Sequence, residues 1–441
     1  MSNAESGNHD RRALLVKGGQ RLHGEVTVSG AKNSALPLIC ASILADSPVT
    51  LMNVPQLDDV RSICEVLQSL GARCQLAGDR LTIDPVPIAR QDAPYELVRK
   101  MRASFLVAGP LLAKFGRAEV PLPGGCNIGP RPVDEHLRAF GELGAEIEFK
   151  KGVVHARAKT LKGGEVYFNI TSVGATENLL MAATLADGVT TLENCAEEPE
   201  VEDLASFLLS LGADIQFNGP RHMEIRGVKS LRQRNPYAII PDRIEAGTYL
   251  LAGVGTGGFV RVTGCQPKHL TALVEKVRDM GAEVGAGADW LEVAPAERLE
   301  PTIVRTQPYP GFPTDLQPQV TTVLTRAGGV SLITETVFEQ RFSYVPELQR
   351  MGASIQQQEN TLVVDGSKSK LMGAPVEGYD LRGFAALSIA ALMAQGESLI
   401  AGYNHLVRGY ENFIEKFSGL GAQLELVDRG HRLKNNHGNP H

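Results

Sequence analysis

The sequence lacks the features that mark several large protein classes. It has no apolar run near the roughly 20 residues that a membrane helix needs. The longest, FAALSIAALMA at 384–394, has the length of a buried helix. There is no basic excess: 44 Lys and Arg stand against 50 Asp and Glu, a net charge of −6. A nucleic-acid surface would need the opposite balance, so neither a nucleic acid nor a membrane is expected as a partner. The opening MSNAESGNHDR has no apolar core, so no signal peptide is read. The end of the chain after Val427 is polar and is expected to be disordered. Six cysteines occur (Cys40, Cys64, Cys74, Cys126, Cys195 and Cys265), but no CxxC pair. No two cysteines or histidines have zinc-ligand spacing, and a chain this long has no need of disulfides. A reducing cytoplasm is therefore expected, with no structural metal.

What is present is repetition. The 441 residues are long enough for two or three domains. A pattern of apolar residue, Gly, Ala, any residue and usually another apolar residue recurs six times. The copies are LGARC, LGAEI, LGADI, MGAEV, MGASI and LGAQL, with glycines at 71, 144, 212, 281, 352 and 421. Their steps are 73, 68, 69, 71 and 69 residues, a period longer than that of common solenoids. Each unit is therefore expected to be a small βα assembly.

Within a unit the order is similar. An apolar, alanine-rich helix comes first, as in NSALPLICASILA or TENLLMAATLA. A Gly or Pro turn and a short strand follow, as in VTLMNV or GVSLITET. A loop leads to an amphipathic helix such as DDVRSICEVLQSL. The motif glycine ends that helix in a left-handed conformation, and the next strand begins. Helices that are apolar all round belong inside a domain. Six units, three per half, predict two pseudo-symmetric domains with a ligand cleft between them.

The starts of the buried helices break a rule. Lys32, Arg102 and Arg382 each open one, although a helix N-terminus disfavours cations by up to about 1 kcal/mol. Either each cation is paired with a nearby carboxylate, or the three serve a shared anion. Cations and helix N-termini together suit a phosphate. The loops between strand and second helix show a similar bias. The second unit has the longest, and its extra residues fall in GGCNIGPRP, with Cys126 and Arg131. Arg341 and Arg408 lie in the corresponding loops of the fifth and sixth units. A thiol flanked by glycines near an arginine suits a reactive cysteine; the other reading is a small buried apolar residue. Asp315 in PGFPTDLQ is either a functional carboxylate or a helix N-cap. The other five cysteines are read as structural.

SGAKNSALP, MRAS, LPGGCNIGPRPVDEH, SVGAT, PDRIEAGT, PYPGFPTD, TETVFEQRF, DLR and RGYE resemble the enolpyruvyl transferases that act on UDP-N-acetylglucosamine. The resemblance runs from about Val16 to Leu426. It implies an α/β fold of two inside-out α/β barrel domains, three repeats each, with buried parallel helices and the active site in the interdomain cleft. One domain would hold residues 1–31 and 243–441 and the other residues 32–242. The implied reaction moves the enolpyruvyl group of phosphoenolpyruvate to the 3′-hydroxyl of the sugar and releases phosphate, without a cofactor or metal. It commits the sugar nucleotide to peptidoglycan synthesis.

Site residues carry over by position. Lys32, Arg131 and Arg408, with Arg102, match the cations that hold phosphoenolpyruvate. Asn33 matches a sugar contact, and Asp315 matches the proposed base for the 3′-hydroxyl. Arg131, Pro132, Val133 and Asp134, with Ser172, Val173, Gly174 and Val337, match the uridine-diphosphate pocket. Arg341 and Arg382 match arginines that stabilise the closed form. Cys126 matches a loop cysteine assigned acid and product-release roles and alkylated by fosfomycin. Four departures stand out: Val407 before RGYE, Glu135 after RPVD, Pro130, and LQPQ after Asp315. Several bear on the nucleotide side. A paralogue acting on another uridine nucleotide, as in nucleoside-antibiotic pathways, stays open. So does a non-catalytic six-repeat clamp, which the acidic balance disfavours.

Overall fold

The computed structural model describes residues 12–123 and 133–429. They divide into two compact units. One comprises residues up to Ser29 and those from Asp242 onward; the other runs from Gly30 to Pro241. Each unit has its own apolar core.

Each unit has three buried helical segments. In the first unit they are Arg243–Thr256, Gln317–Leu324 and Leu381–Met393, which pack on one another. In the second they are Lys32–Ala41, the pair Arg102–Val107 and Ala108–Phe115, and Val173–Ala183. Most of their residues are apolar or small, and polar ones such as Glu177, Asn178 and Gln319 are buried with them, so no face is turned to water. Approach between them is close. Gly109 donates its N–H to Asn178 Oδ1 at 2.7 Å, and a Cβ there would lie 2.3 Å from the Asn178 carbonyl oxygen.

Two of these segments begin differently from expectation. Arg102 opens a 3-10 turn, Arg102–Val107, and the α-helix starts only at Ala108. Asp315 lies in a second 3-10 turn, Thr314–Leu316, ahead of Gln317–Leu324. In both, a proline in the first α-turn, Pro110 or Pro318, has no N–H for the carbonyl four residues back. Each proline thus removes one α hydrogen bond at the helix start, where the 3-10 turn stands.

Six small sheets pack around the buried helices, three in each unit. Their common plan is visible in Glu165–Tyr167, Val189–Glu193, His222–Arg226 and Asp214–Phe217. The first two run parallel, the others antiparallel, with Leu192 opposite both Val166 and Met223. All three of these side chains are buried, while alternate residues face outward. The last sheet borrows its third strand, Arg12–Lys17, from the start of the chain, between Glu397–Ala401 and Gln423–Asp428. Among the described residues the sheets stay separate and form no closed barrel. The six motif glycines all adopt positive φ, from 83° to 114°, each after its amphipathic helix.

The connecting segments are tightly held. Gly30 bridges Pro241, and a Cβ on Gly30 would lie 1.8 Å from the Asn53 carbonyl oxygen. Ser29 donates its N–H to Glu245 Oε2 at 2.7 Å, and Lys416 Nζ reaches both Ser29 Oγ (2.7 Å) and Glu245 Oε1 (2.6 Å). Burial pushes the Glu245 carboxyl up to about 7, against the pull of Lys416. The folded state thus keeps a proton on Glu245 that the unfolded chain releases near pH 4.5. This contribution to stability is present below about pH 4.5 and is lost as pH rises through about 7. Urea unfolding of the parent and Glu245→Gln should show the parent's relative stability falling by up to about 3 kcal/mol across that window. A difference independent of pH would contradict the shift.

Candidate active site

The most developed charge cluster in the first unit is built around Asp315. Arg341 Nη1 lies 2.8 Å from Asp315 Oδ1. Arg382 places Nη2 at 2.9 Å and Nε at 3.2 Å from Oδ2. The arginine side chains are 6% and 2% exposed, the Asp315 side chain 23%. The pairs therefore sit where water screens them little. Burial opposes the Arg382 charge, but Asp315 and the Tyr410 phenol outweigh it and push its pKa up. The guanidinium also lies 5.4 Å from the centre of the Tyr410 ring. Arg341 Nε and Arg382 Nη1 are buried and have no hydrogen-bond partner among the described residues.

Local structure explains why these groups meet. Asp380 caps Leu381–Met393, accepting from the Arg382 and Gly383 N–H groups at 3.0 and 2.9 Å. Ser343 Oγ holds its other oxygen at 2.8 Å. Arg382 is thereby fixed in the first helical turn, with Asp315 offsetting its unfavourable place there. Asp315 is not a helix cap: its turn has no side-chain cap bond. Its carboxylate is committed to the two arginines. Val337 follows the strand Val330–Thr334, and Arg408 follows the short helix Tyr403–Leu406.

The second unit carries a separate set. Lys32 opens Lys32–Ala41, and its Nζ lies 3.4 Å from Asp59 Oδ2. Asp59 is buried in the first turn of Asp58–Leu70, where a helix N-terminus favours an anion. For Lys32 and Arg382, then, the helix-start cation has a carboxylate beside it. Asn33 is the next residue on the Lys32 helix, half-buried. Arg102, also half-buried, opens its 3-10 turn.

Ser172 caps Val173–Ala183, accepting from the Ala175 N–H at 3.4 Å. That helix start lies against Asp134–Glu142 through His136: a Cβ on Gly174 would be 3.3 Å from His136 Cε1. His136 Nδ1 meets Asn178 Nδ2 at 3.1 Å, and its ring stands edge-on to Phe105 with centroids 5.3 Å apart. Glu135 ties the same two segments from outside. It accepts from the Asn169 N–H (3.2 Å), Asn169 Nδ2 (3.1 Å) and Arg138 Nη2 (2.8 Å). Burial pushes Glu135 up, but Arg138 and Asn169 outweigh it, and its pKa ends below the ordinary range. Cys126, Arg131 and Pro132 lie outside the described residues. Of the other cysteines, burial pushes Cys195 up to about 12 and Cys265 up to about 11, which leaves them poor nucleophiles.

The sequence reading missed Asp59, Thr314 and Glu335. Asp59 was half signalled by the acidic start of DDVRSIC. Thr314 and Glu335 stand inside the quoted PYPGFPTD and TETVFEQRF motifs, but no role was read for them, since their partners come from distant segments.

A family model described as EPSP synthase (3-phosphoshikimate 1-carboxyvinyltransferase) matches residues 16–417. The chain is 50% identical over 418 residues to the UDP-N-acetylglucosamine 1-carboxyvinyltransferase of Psychrobacter sp. (strain PRwf-1), covering 94% of this chain and 96% of that one. It is 49% identical over 416 residues to the protein of the same name from Acinetobacter guillouiae, covering 94% and 99%. Among solved structures, the enolpyruvyl transferase NikO from Streptomyces tendae is similar with a TM-score of 0.86 at 28% identity, covering 94% and 99%. An EPSP synthase from Acinetobacter baumannii has the same fold, with a TM-score of 0.73 at 19% identity, covering 94% and 100%.

Proposed function

The chain belongs to the EPSP synthase family of carboxyvinyltransferases, and on that premise we propose that it transfers the enolpyruvyl group of phosphoenolpyruvate to the 3′-hydroxyl of UDP-N-acetylglucosamine. Phosphate is the second product. The observation that carries the reading is the Asp315 carboxylate held between Arg341 and Arg382.

The chemistry assigns each group a task. The sugar hydroxyl adds to C2 of phosphoenolpyruvate while C3 takes a proton. The adduct then loses phosphate and returns that proton from C3. Asp315 accepts the hydroxyl proton. The two guanidinium groups hold its plane and stabilise its negative charge. Lys32, Arg102, Arg131 and Arg408 hold the phosphate and carboxylate of phosphoenolpyruvate, and fixed cations stabilise charge as it moves. Cys126 supplies the proton to C3 and is the thiol that fosfomycin would alkylate. Asn33 contacts the sugar. Val133, Asp134, Ser172, Val173, Gly174 and Val337, with Arg131 and Pro132, line the nucleotide side.

The paralogue reading is less well supported. Relatives at about half identity carry the UDP-N-acetylglucosamine name, whereas the NikO structure is 28% identical. Among the described residues no helix is long and apolar enough to cross a membrane. A place in the cytoplasm, at the first committed step of peptidoglycan synthesis, belongs to the same proposal. Mass spectrometry of the sugar nucleotide after incubation with phosphoenolpyruvate tests it. The expected product has gained the enolpyruvyl group; an unchanged sugar nucleotide contradicts the reading.

Glu135 offers a finer test. It is a partly exposed, hydrogen-bonded tether between the segments that carry Asp134 and Ser172. Glu135→Leu should raise KM for the sugar nucleotide roughly two- to fivefold, as for a contact worth about 0.5–1 kcal/mol. Its kcat should stay within about twofold. A fall in kcat at constant KM would assign Glu135 to the chemistry instead.

A further inference from the structure

Glu335 follows the strand Val330–Thr334, and its side chain is fully buried. Its two oxygens serve different segments. Oε1 accepts from Thr306 Oγ1 (2.7 Å) and from the N–H groups of Val337 (2.8 Å) and Phe338 (2.9 Å). Oε2 accepts from Thr314 Oγ1 at 2.9 Å. These four donors are neutral, so the buried charge is costly to keep. One acceptor oxygen would be enough to close the turn at Val337 and Phe338. What the carboxylate adds is the second oxygen and its reach to Thr314.

Thr314 immediately precedes Asp315. Arg341 Nη1 donates to Thr314 Oγ1 at 3.0 Å and lies 2.8 Å from Asp315 Oδ1. A hydroxyl has one hydrogen. Because Thr314 accepts from Arg341, its hydrogen points to Glu335. The direction of the chain is therefore set: Arg341 to Thr314, Thr314 to Glu335. Thr306 also accepts from the Thr336 N–H at 2.8 Å, which locks the same turn from its other side.

We infer that Glu335 is a positioning residue for Asp315: acting through the Thr314 hydroxyl, it orients the Arg341 guanidinium that holds the Asp315 carboxylate. This rests on the proposed reaction. Glu335 also sets Val337, so one buried carboxylate fixes both a nucleotide contact and the orientation of the base. A glutamine in its place can still serve the three donors at Oε1. Its NH2 would then face Thr314, whose hydrogen loses its acceptor.

The experiment compares the parent with Thr314→Val, Thr314→Ser, Glu335→Gln and the Glu335→Gln/Thr314→Val double variant. Phosphate release is measured with phosphoenolpyruvate and UDP-N-acetylglucosamine, and folding by thermal melting. Thr314→Val should lower kcat about 10- to 100-fold with both KM values within about threefold, the loss being that of a misoriented group. Thr314→Ser, which keeps the hydroxyl, should restore kcat to within about threefold of the parent. The double variant should be no slower than Thr314→Val alone, since both act through one chain. Folded single variants with parental kcat, or losses that multiply in the double variant, would overturn the inference. A parent that releases no phosphate defeats the reaction rather than the positioning. Crystal structures of the parent and Glu335→Gln then decide: Arg341 should leave Asp315 in the variant, and an unchanged contact overturns the inference.

Discussion

Asp315→Asn is expected to lose roughly 10²- to 10⁴-fold in kcat, the range for removing a positioned base. Asparagine keeps the shape of the side chain but cannot take the hydroxyl proton. The loss should appear in the chemical step. Binding of the sugar nucleotide, followed by calorimetric titration, should change less than about tenfold. The pairing with Arg341 and Arg382 makes the prediction demanding. The two guanidinium groups fix the carboxylate's geometry, and an anchoring role alone would also account for these contacts. A variant within tenfold of the parent would show that Asp315 only anchors the arginines.

Arg382→Leu should give the largest loss of stability. The side chain is 2% exposed, and two of its nitrogens meet one oxygen of Asp315 at 2.9 and 3.2 Å. Leucine fills part of the space but removes the Arg382 guanidinium from Asp315, which keeps Arg341. Breaking a buried pair from one side costs up to about 3–5 kcal/mol, because Asp315 loses the more buried of its two guanidinium partners. In a unit of about 200 residues that corresponds to a melting shift of roughly 10 °C. Arg341→Leu should behave similarly but keep the bidentate contact from Arg382. Adding Asp315→Leu to Arg382→Leu should not recover the loss, since Arg341, 6% exposed, then loses its carboxylate. A shift below about 3 °C for Arg382→Leu would mean that water or Arg341 fully compensates.

Parts of this arrangement were legible in the sequence for local reasons. Each LGA or MGA copy puts a glycine at a helix end, and all six adopt positive φ because no other residue reaches that conformation so cheaply. The buried helices declare themselves by having no polar face. The illegible parts are non-local. Arg12–Lys17 completes the sheet of Glu397–Ala401 across nearly the whole chain, and no pattern in RALLVK names that partner. Asp315 could be read as a cap or as a functional carboxylate, because both use an aspartate at a helix start. Only the arrival of Arg341 and Arg382, 26 and 67 residues further on, separates the two. The 3-10 turns at Arg102 and Asp315 precede α-helices that carry Pro110 and Pro318 in their first turn, but Lys32–Ala41 is α-helical throughout despite Pro37, so proline alone does not mark them. Glu335 lies within the TETVFEQRF motif, but nothing local in it gives the carboxylate a role until its four donors are assembled.

The central claim is the identity of the acceptor nucleotide. The most direct measurement is phosphate release from phosphoenolpyruvate across a panel of acceptors: UDP-N-acetylglucosamine, UDP-glucose, UDP, UMP and uridine. The account predicts release with UDP-N-acetylglucosamine and background rates with the others. Release with UMP or another uridine nucleotide, and none with UDP-N-acetylglucosamine, would contradict it.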